Sequence, residues 1–502
     1  MAHLRSAKLP AFLLAVLYAV AGIAIAPYPG IQNDEAMFAS PLYPPHVSAF
    51  GIAGVPIMEM DYVGSFKAWI YAVIFAAFPP SHWSLRLPVI FVGAASVCLF
   101  TLLLGRMNTR AAWIGGSLLA SDPAFALTNN FDWGPVALQH FFLIAGLLCA
   151  MQFQQTSRTR WLALTSLAFG LGLWDKAIFL WMLIPVCAAT LLLWPRIIRE
   201  GATMHNVLTA LGGFALGAAP LLWFNATHHW ITFRSHTVFS AAELPMKLAQ
   251  FHYTANGSAL FGYLVLGPRR SSLLEWGFVL ALLLLPFVWK TDARKPALFS
   301  LLVLIGGWAM MTFNRDTGGA AHHIILLWPM PQLFIAVVLT RMSLADVVLA
   351  HGRHRYAGTM IVGVLVLSNA LVYQRYWRNL RSEGPALVWT DAIDSLSTDP
   401  SLAAADPLYI LDWGIIDPLQ VLHRGTLPLR SVPTNLQQIE GDLRNPKALW
   451  VSHVDGAEQF TGINARLATL AQSCGLHKVS ERVYNDRHGR PVFQTFRFVS
   501  AI

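Results

Sequence analysis

Apolar stretches long enough to cross a bilayer recur along this chain, and no other feature constrains its fold as much. A spanning helix needs about 20 mostly apolar residues. Eleven runs meet or approach that length: Ala11–Pro27, Leu85–Leu104, Ala111–Thr128, Gly134–Phe153, Trp161–Trp174, Ala177–Trp194, Val207–Ala226, Leu274–Trp289, Pro296–Phe313, Ala321–Leu339 and Ala357–Tyr373. Phe66–Phe78 is shorter and ends in Pro79-Pro80, so it reads as an interfacial or re-entrant helix. Charged residues make up 12% of the chain, about half the ~25% of a soluble domain. The fold class expected is α: a polytopic transmembrane bundle of about eleven spans over residues 1–377. Residues 378–502 are more polar and read as a small α/β extracytoplasmic domain. In it, Pro407–Trp413, Ala448–Val454 and Pro491–Val499 look like strands, and Glu458–Gln472 has helical spacing.

The net charge of +9 does not indicate nucleic acid, because the basic residues are spread over short loops between apolar runs. That spread sets orientation instead. With the N-terminus inside, the inner loops hold Arg106 and Arg110, Arg158 and Arg160, Arg196 and Arg199, then Lys290, Arg294 and Lys295, then Arg341, Arg353 and Arg355. Two sizeable outer loops remain, 28–84 and 227–272. The first run follows Arg5 and Lys8 and could pass for a signal peptide with Ala24-Ile25-Ala26 as its cleavage site. A retained span is the expectation, since many further spans follow. Cys98, Cys149, Cys187 and Cys474 show no CxxC or CxxH spacing, so neither a zinc site nor a disulfide framework is indicated.

Ionisable side chains are costly at membrane depth, and here they gather at the outer ends of the spans. Asp34 and Glu35 follow the first run, Glu59, Asp61 and Lys67 flank the short helix, and Arg86 opens the second span. Asp122, Asp132, Asp175, Lys176, Arg315, Asp316, His322 and His323 complete the set. A carboxylate pair such as Asp34-Glu35 acts as a general base or holds a divalent cation; the plain alternative is an acidic helix cap. Lys176 interrupts an apolar run and either holds an anionic group such as a lipid phosphate or sits with Asp175 in a turn that reaches water. Asp132 is either functional or the cap of a helix with Pro135 in its first turn. His322 and His323 would bind sugar hydroxyls, a metal or a phosphate, but adjacent helical residues point about 100° apart, which disfavours a shared ion.

In order along the chain, the Asp-Glu pair, YVGSFKAWIYAVIFAAF, WSLRLPVIFVGAASVCLFTLLLGR, SDPAFALTNNFDWGPVALQ, GLGLWDKAIFLW and HHIILLWP resemble the GT-C glycosyltransferases that use polyprenyl-phosphate sugars. The nearest branch is the protein O-mannosyltransferases and their bacterial relatives, including the lipid A aminoarabinose transferase. The likeness covers roughly residues 10–340. It implies a glycosyltransferase, hexosyl or pentosyl and inverting, in the inner membrane, with its site and C-terminal domain on the periplasmic side. The donor would be a polyprenyl-phosphate sugar and the acceptor a lipid, glycan or protein. By matched position, Asp34 would be the base or acceptor-site carboxylate, with Glu35 in support and Asp132 as the acidic residue of the next outer loop, a place for which Asp122 competes. Lys176 would neutralise the donor phosphate, and His322 or His323 would lie near donor or acceptor. Lys67 and Arg86 would complete the substrate-binding set. Some members of the superfamily use Mg²⁺ or Mn²⁺, which here would fall to Asp34 and Glu35. The chain departs from relatives with a Lys-Pro-Pro-Leu block, having SFKAWIY instead, which points to a different acceptor. Two other classes make different demands. A transporter or flippase would place polar residues at mid-span and break its helices, and a non-catalytic scaffold would tolerate Asp34→Ala.

Overall fold

The computed structural model describes residues 2–44, 50–131, 133, 135–342, 357–433 and 435–500. The apolar segments are helical because a backbone surrounded by hydrocarbon must satisfy its own hydrogen bonds. Helix α1 (Ala2–Ile25) is followed by the short α2 (Asn33–Met37), a small antiparallel sheet of β1 (Phe50–Ile52), β2 (Val55–Met60) and β3 (Val63–Gly64), and α3 (Phe66–Ala77). The bundle continues with α4 (His82–Gly105), α5 (Thr109–Ser121), α6 (Pro123–Asn130), α7 (Val136–Thr156), α8 (Thr159–Asp175) and α9 (Leu180–Leu193). Next come α10 (Pro195–Gly201), α11 (Met204–Thr227), α12 (Ile231–His236), α13 (Leu244–Ala255), α14 (Leu274–Val288), α15 (Arg294–Phe313), α16 (Ala321–Ile324), α17 (Met330–Met342) and α18 (Ala357–Ser382).

Among the described residues, six helical segments are long and apolar enough to cross a membrane: Ala7–Ile25, His82–Gly105, Val136–Thr156, Met204–Thr227, Arg294–Phe313 and Ala321–Arg341. The last is the most enclosed, with 94% of its apolar window buried, so it runs through the middle of the bundle. Leu211 and Leu216 on α11 and Leu283 and Phe287 on α14 face outward, as lipid contact requires. Other expected spans are interrupted. The run Ala111–Thr128 breaks at Asp122, which ends α5 and caps α6, accepting from the Phe125 N–H at 3.0 Å with Pro123 following. The run Ala177–Trp194 opens with a tight 3₁₀ turn before α9. The loop 227–272 contains α12 and α13.

The C-terminal region holds α19 (Ala392–Ser397), α20 (Pro400–Ala404), β4 (Leu408–Ile410), α21 (Ile416–Leu422), β5 (Leu429–Ser431), β6 (Leu449–His453), α22 (Ile463–Ser473), β7 (Leu476–Asn485) and β8 (Pro491–Ser500). Its sheet has the order β5-β4-β6-β8-β7, parallel across β5, β4 and β6 and antiparallel at the β8 and β7 edge. Helix α22 begins later than the pattern from Glu458 indicated. The Asp412 carboxylate accepts from the Gln459 and Phe460 N–H groups, each at 2.8 Å, and Gly462 is left-handed, so this stretch is held as a turn.

This domain packs directly on the loop between α1 and α4. Helix α21 lies against α2, and Gln420 donates to the Tyr43 carbonyl at 2.7 Å. His82 meets Asp394 at 2.8 Å. The Gly30 N–H donates to the Trp389 carbonyl at 2.8 Å, and a Cβ on Gly30 would fall 1.9 Å from the Thr390 carbonyl oxygen, so only glycine fits there.

Candidate active site

Asp34 sits in the first turn of α2. It is not the cap of that helix: Gln32 accepts from the Asp34 N–H at 2.7 Å and from the Glu35 N–H at 3.3 Å, while the Glu35 side chain reaches back to the Gln32 N–H. The reciprocal box leaves the Asp34 side chain available. Asp34 is half-buried, whereas Glu35 is fully buried. Burial raises the Asp34 carboxyl above its ordinary range, against the opposing pull of Gln32, Lys176, Trp133 and Lys67. The side-chain N–H groups of Gln32 and Trp133, which favour the ionised carboxylate, are buried and make no hydrogen bond among the described residues.

Lys176 follows the last turn of α8 and is tied to the first outer loop. Val63 and Lys176 form a β-bridge, the Ala177 N–H donates to the Tyr62 carbonyl at 2.9 Å, and the Trp174 indole donates to the Ile57 carbonyl at 3.0 Å. Its ammonium lies over the Tyr62 ring at 5.8 Å. Burial lowers the Lys176 ammonium to about 8, although the charges of Asp34 and Asp175 favour the cation. Lys176, His322 and His323 line one cavity of about 240 Å³ with Tyr62, His236, Asp316 and apolar side chains that include Trp181 and Phe233. His322 packs on Trp133 at 4.9 Å between ring centres, and Trp133 stacks on Tyr263 at 4.5 Å. Nδ1 of both histidines is buried without a partner among the described residues. Buried donors and acceptors normally find partners, so these orphaned groups mark a place for a polar ligand. Lys67 is buried close enough for its charge to act on both Asp34 and Lys176, and its ammonium also rests on the Phe38 ring at 4.0 Å.

The other candidates fall elsewhere. Arg86 does not face the cavity as a substrate-binding residue. It is wholly buried, and its guanidinium is consumed by both Glu35 oxygens and the carbonyls of Ala26, Pro29 and Gly30. Glu35 therefore supports Asp34 by anchoring α2, not by touching a ligand. Asp122 is likewise committed, accepting from the Trp328 indole at 2.6 Å and Gln332 at 2.8 Å besides its cap, so it ties α6 to the enclosed helix instead of binding substrate. Asp132 lies outside the described residues. The proposed cation does not fit the donors: Glu35 is saturated by Arg86, and among the described residues no three Asp, Glu, His or Cys side chains gather as metal ligands.

Sequence reasoning missed Gln32, Tyr62, Trp133, His236, Tyr263 and Asp417. His236 is bracketed by Asp61 at 3.1 Å and Asp316 at 3.2 Å, joining two outer loops beside the cavity. Asp417, from the C-terminal domain, lies near enough to Asn33 and Ser40, on either side of Asp34 in sequence, for both side chains to favour its ionised form. Burial lifts its carboxyl to about 6 and that of nearby Glu59 to about 8. A lone histidine in a long loop, or a carboxylate in a domain with no recognisable pattern, carries no signal that spacing could reveal.

Residues 64–223 match the family described as dolichyl-phosphate-mannose-protein mannosyltransferase. No curated protein matches the chain in sequence. Among solved structures, ArnT from Cupriavidus metallidurans bound to undecaprenyl phosphate is similar at a TM-score of 0.61 and 14% identity, covering 96% of this chain and 97% of that one. Its apo form gives the same values. Arabinofuranosyltransferase AftD from Mycobacteria is similar at a TM-score of 0.53 and 14% identity, over 98% of this chain but 40% of its own. The chain therefore shares the fold of ArnT over nearly its whole length, from the helical bundle to the C-terminal α/β domain, and its stretch 64–223 matches the mannosyltransferase family.

Proposed function

We propose that this protein is a membrane glycosyltransferase of the inner membrane that moves a sugar from a polyprenyl phosphate to an acceptor on the periplasmic side. One observation carries the reading. Asp34 and Lys176, far apart in sequence, act electrostatically on each other beside a cavity with unpartnered polar atoms, in a fold shared with a protein solved with undecaprenyl phosphate bound. In the proposed step an acceptor hydroxyl loses its proton to an Asp34 oxygen as its own oxygen bonds to the anomeric carbon. The bond from that carbon to the phosphate oxygen breaks, and its electron pair leaves with the polyprenyl phosphate. Attack from the face opposite the leaving group inverts the centre. A carboxylate whose proton affinity is raised by burial is a stronger base, and Lys176 offers a positive charge to the phosphate in a low-dielectric setting.

The test is transfer from a radiolabelled polyprenyl-phosphate sugar in membranes carrying the protein. Asp34→Asn and Lys176→Ala are each expected to lower the rate by about 10²-fold or more. Full transfer by both variants would refute these roles.

A further inference from the structure

The helix ends opposite the candidate active site enclose a second cavity of about 430 Å³, within the ~300–1,000 Å³ range of ligand pockets. Its walls are largely apolar, with Met107, Met151, Trp194, Val207 and Phe299 prominent and Gln154, Thr190 and Asn206 the polar exceptions. Basic residues sit beside the lining in sequence. Arg106 precedes Met107, Arg196 and Arg199 bracket the lining residue Ile198, and Arg294 and Lys295 precede the lining residue Pro296. All but Arg106 are exposed. The nearby acids do not balance them: Asp292 is paired with Arg341, leaving Glu200. Arg106 Nη1 donates to Gln155 at 2.8 Å, but its Nε is buried with no partner among the described residues. Short α10 carries the exposed Ile198 between α9 and α11, as a helix lying in the interface would.

We propose that this cavity binds one acyl chain of an anionic glycerophospholipid, whose phosphate is held by the basic rim. An apolar slot alone would take any lipid tail; the unbalanced positive charge beside it selects an anionic headgroup. The site lies at the far end of the bundle from Lys176, so the proposal stands apart from the glycosyltransferase reading.

The experiment incubates the full chain with mixed micelles of equal phosphatidylglycerol and phosphatidylethanolamine, removes excess lipid and counts retained lipid by mass spectrometry. The expected result is retention of phosphatidylglycerol at least about fivefold over phosphatidylethanolamine. Ala150→Trp, which fills the cavity, is expected to abolish retention, and Ala150→Leu serves if the larger residue fails to fold. The pair Arg196→Gln and Arg199→Gln should keep total retention but lose the preference. Equal retention of both lipids by the wild-type chain, unchanged retention in the filled variant, or displacement by added undecaprenyl phosphate would overturn it.

Discussion

Arg86 and Glu35 form a fully buried, two-pronged pair, Nε to Oε1 at 2.6 Å and Nη2 to Oε2 at 2.7 Å, that fixes the helix bearing Asp34 to the start of α4. Such a pair is matched in geometry by arginine and not by lysine. Removing one partner strands the other charge, at a cost of about 3–5 kcal/mol. Arg86→Ala is therefore expected to lower the unfolding temperature of the detergent-solubilised protein sharply, and Arg86→Lys to restore little of it. Combining Glu35→Gln with Arg86→Ala should hurt less than the two single losses added together. Strict additivity would mean that the contact does not couple these residues.

The transfer rate should trace a bell against pH. In the proposed mechanism Asp34 is a base only when ionised, so kcat/KM should rise as pH climbs through its raised pKa. The proposed role of Lys176 needs its charge, so kcat/KM should fall as pH passes about 8. Lys176→Arg keeps its charge to far higher pH and should shift the alkaline limb upward even if the peak is lower. An alkaline limb that stays in place in that variant would assign it to another group.

The C-terminal domain reaches the site through α21, which packs on α2 and brings the Asp417 carboxyl near Asn33 and Ser40. A polar interaction with a charged group can contribute on the order of 1 kcal/mol or more, enough to set the angle of a helix as short as α2. Asp417→Ala is expected to lower kcat about tenfold with KM nearly unchanged, and Asp417→Asn, which keeps a polar partner of similar shape, to recover part of it. An equal loss in KM alone would point to acceptor binding by this residue instead.

Much of the bundle was legible because hydrocarbon leaves the backbone few options: apolar length alone located α4, α7, α11 and α15. Breaks were less legible, since Asp122-Pro123 reads the same in a continuous apolar run as in the cap it forms. In the candidate site, charge asymmetry drew Asp34, Lys67, Lys176 and the two histidines toward one end of the bundle. It could not separate Asp34 from Glu35, because two adjacent carboxylates differ only in which way their helix turns them, and that depends on Arg86 and Gln32. Strands β4, β6 and β8 announced themselves by β-branched and aromatic runs, whereas the polar β7 is held chiefly by its pairing with β8. The Tyr62 and His236 rings meet in a tilted contact, 4.6 Å between centres, between distant loops, which no local pattern encodes.

Gly64 couples the outer sheet to Lys176, and it has no room to grow. A Cβ there would lie 2.2 Å from the Trp174 carbonyl oxygen and 2.6 Å from the Trp174 ring. Neither neighbour can retreat, because the Trp174 indole is bonded to Ile57 and the residues after it are bridged to Tyr62 and Val63. Gly64→Ala should force β3 off the end of α8, at a cost typical of overpacking, about 1–3 kcal/mol. Lys176 would then lose its register against Tyr62. The expected outcome is a fall in kcat/KM larger than the loss of thermal stability implies, measured by comparison with a similarly destabilising change far from the outer face, such as Ala281→Gly on α14. Matching losses in the two variants would show that the bridge serves stability alone.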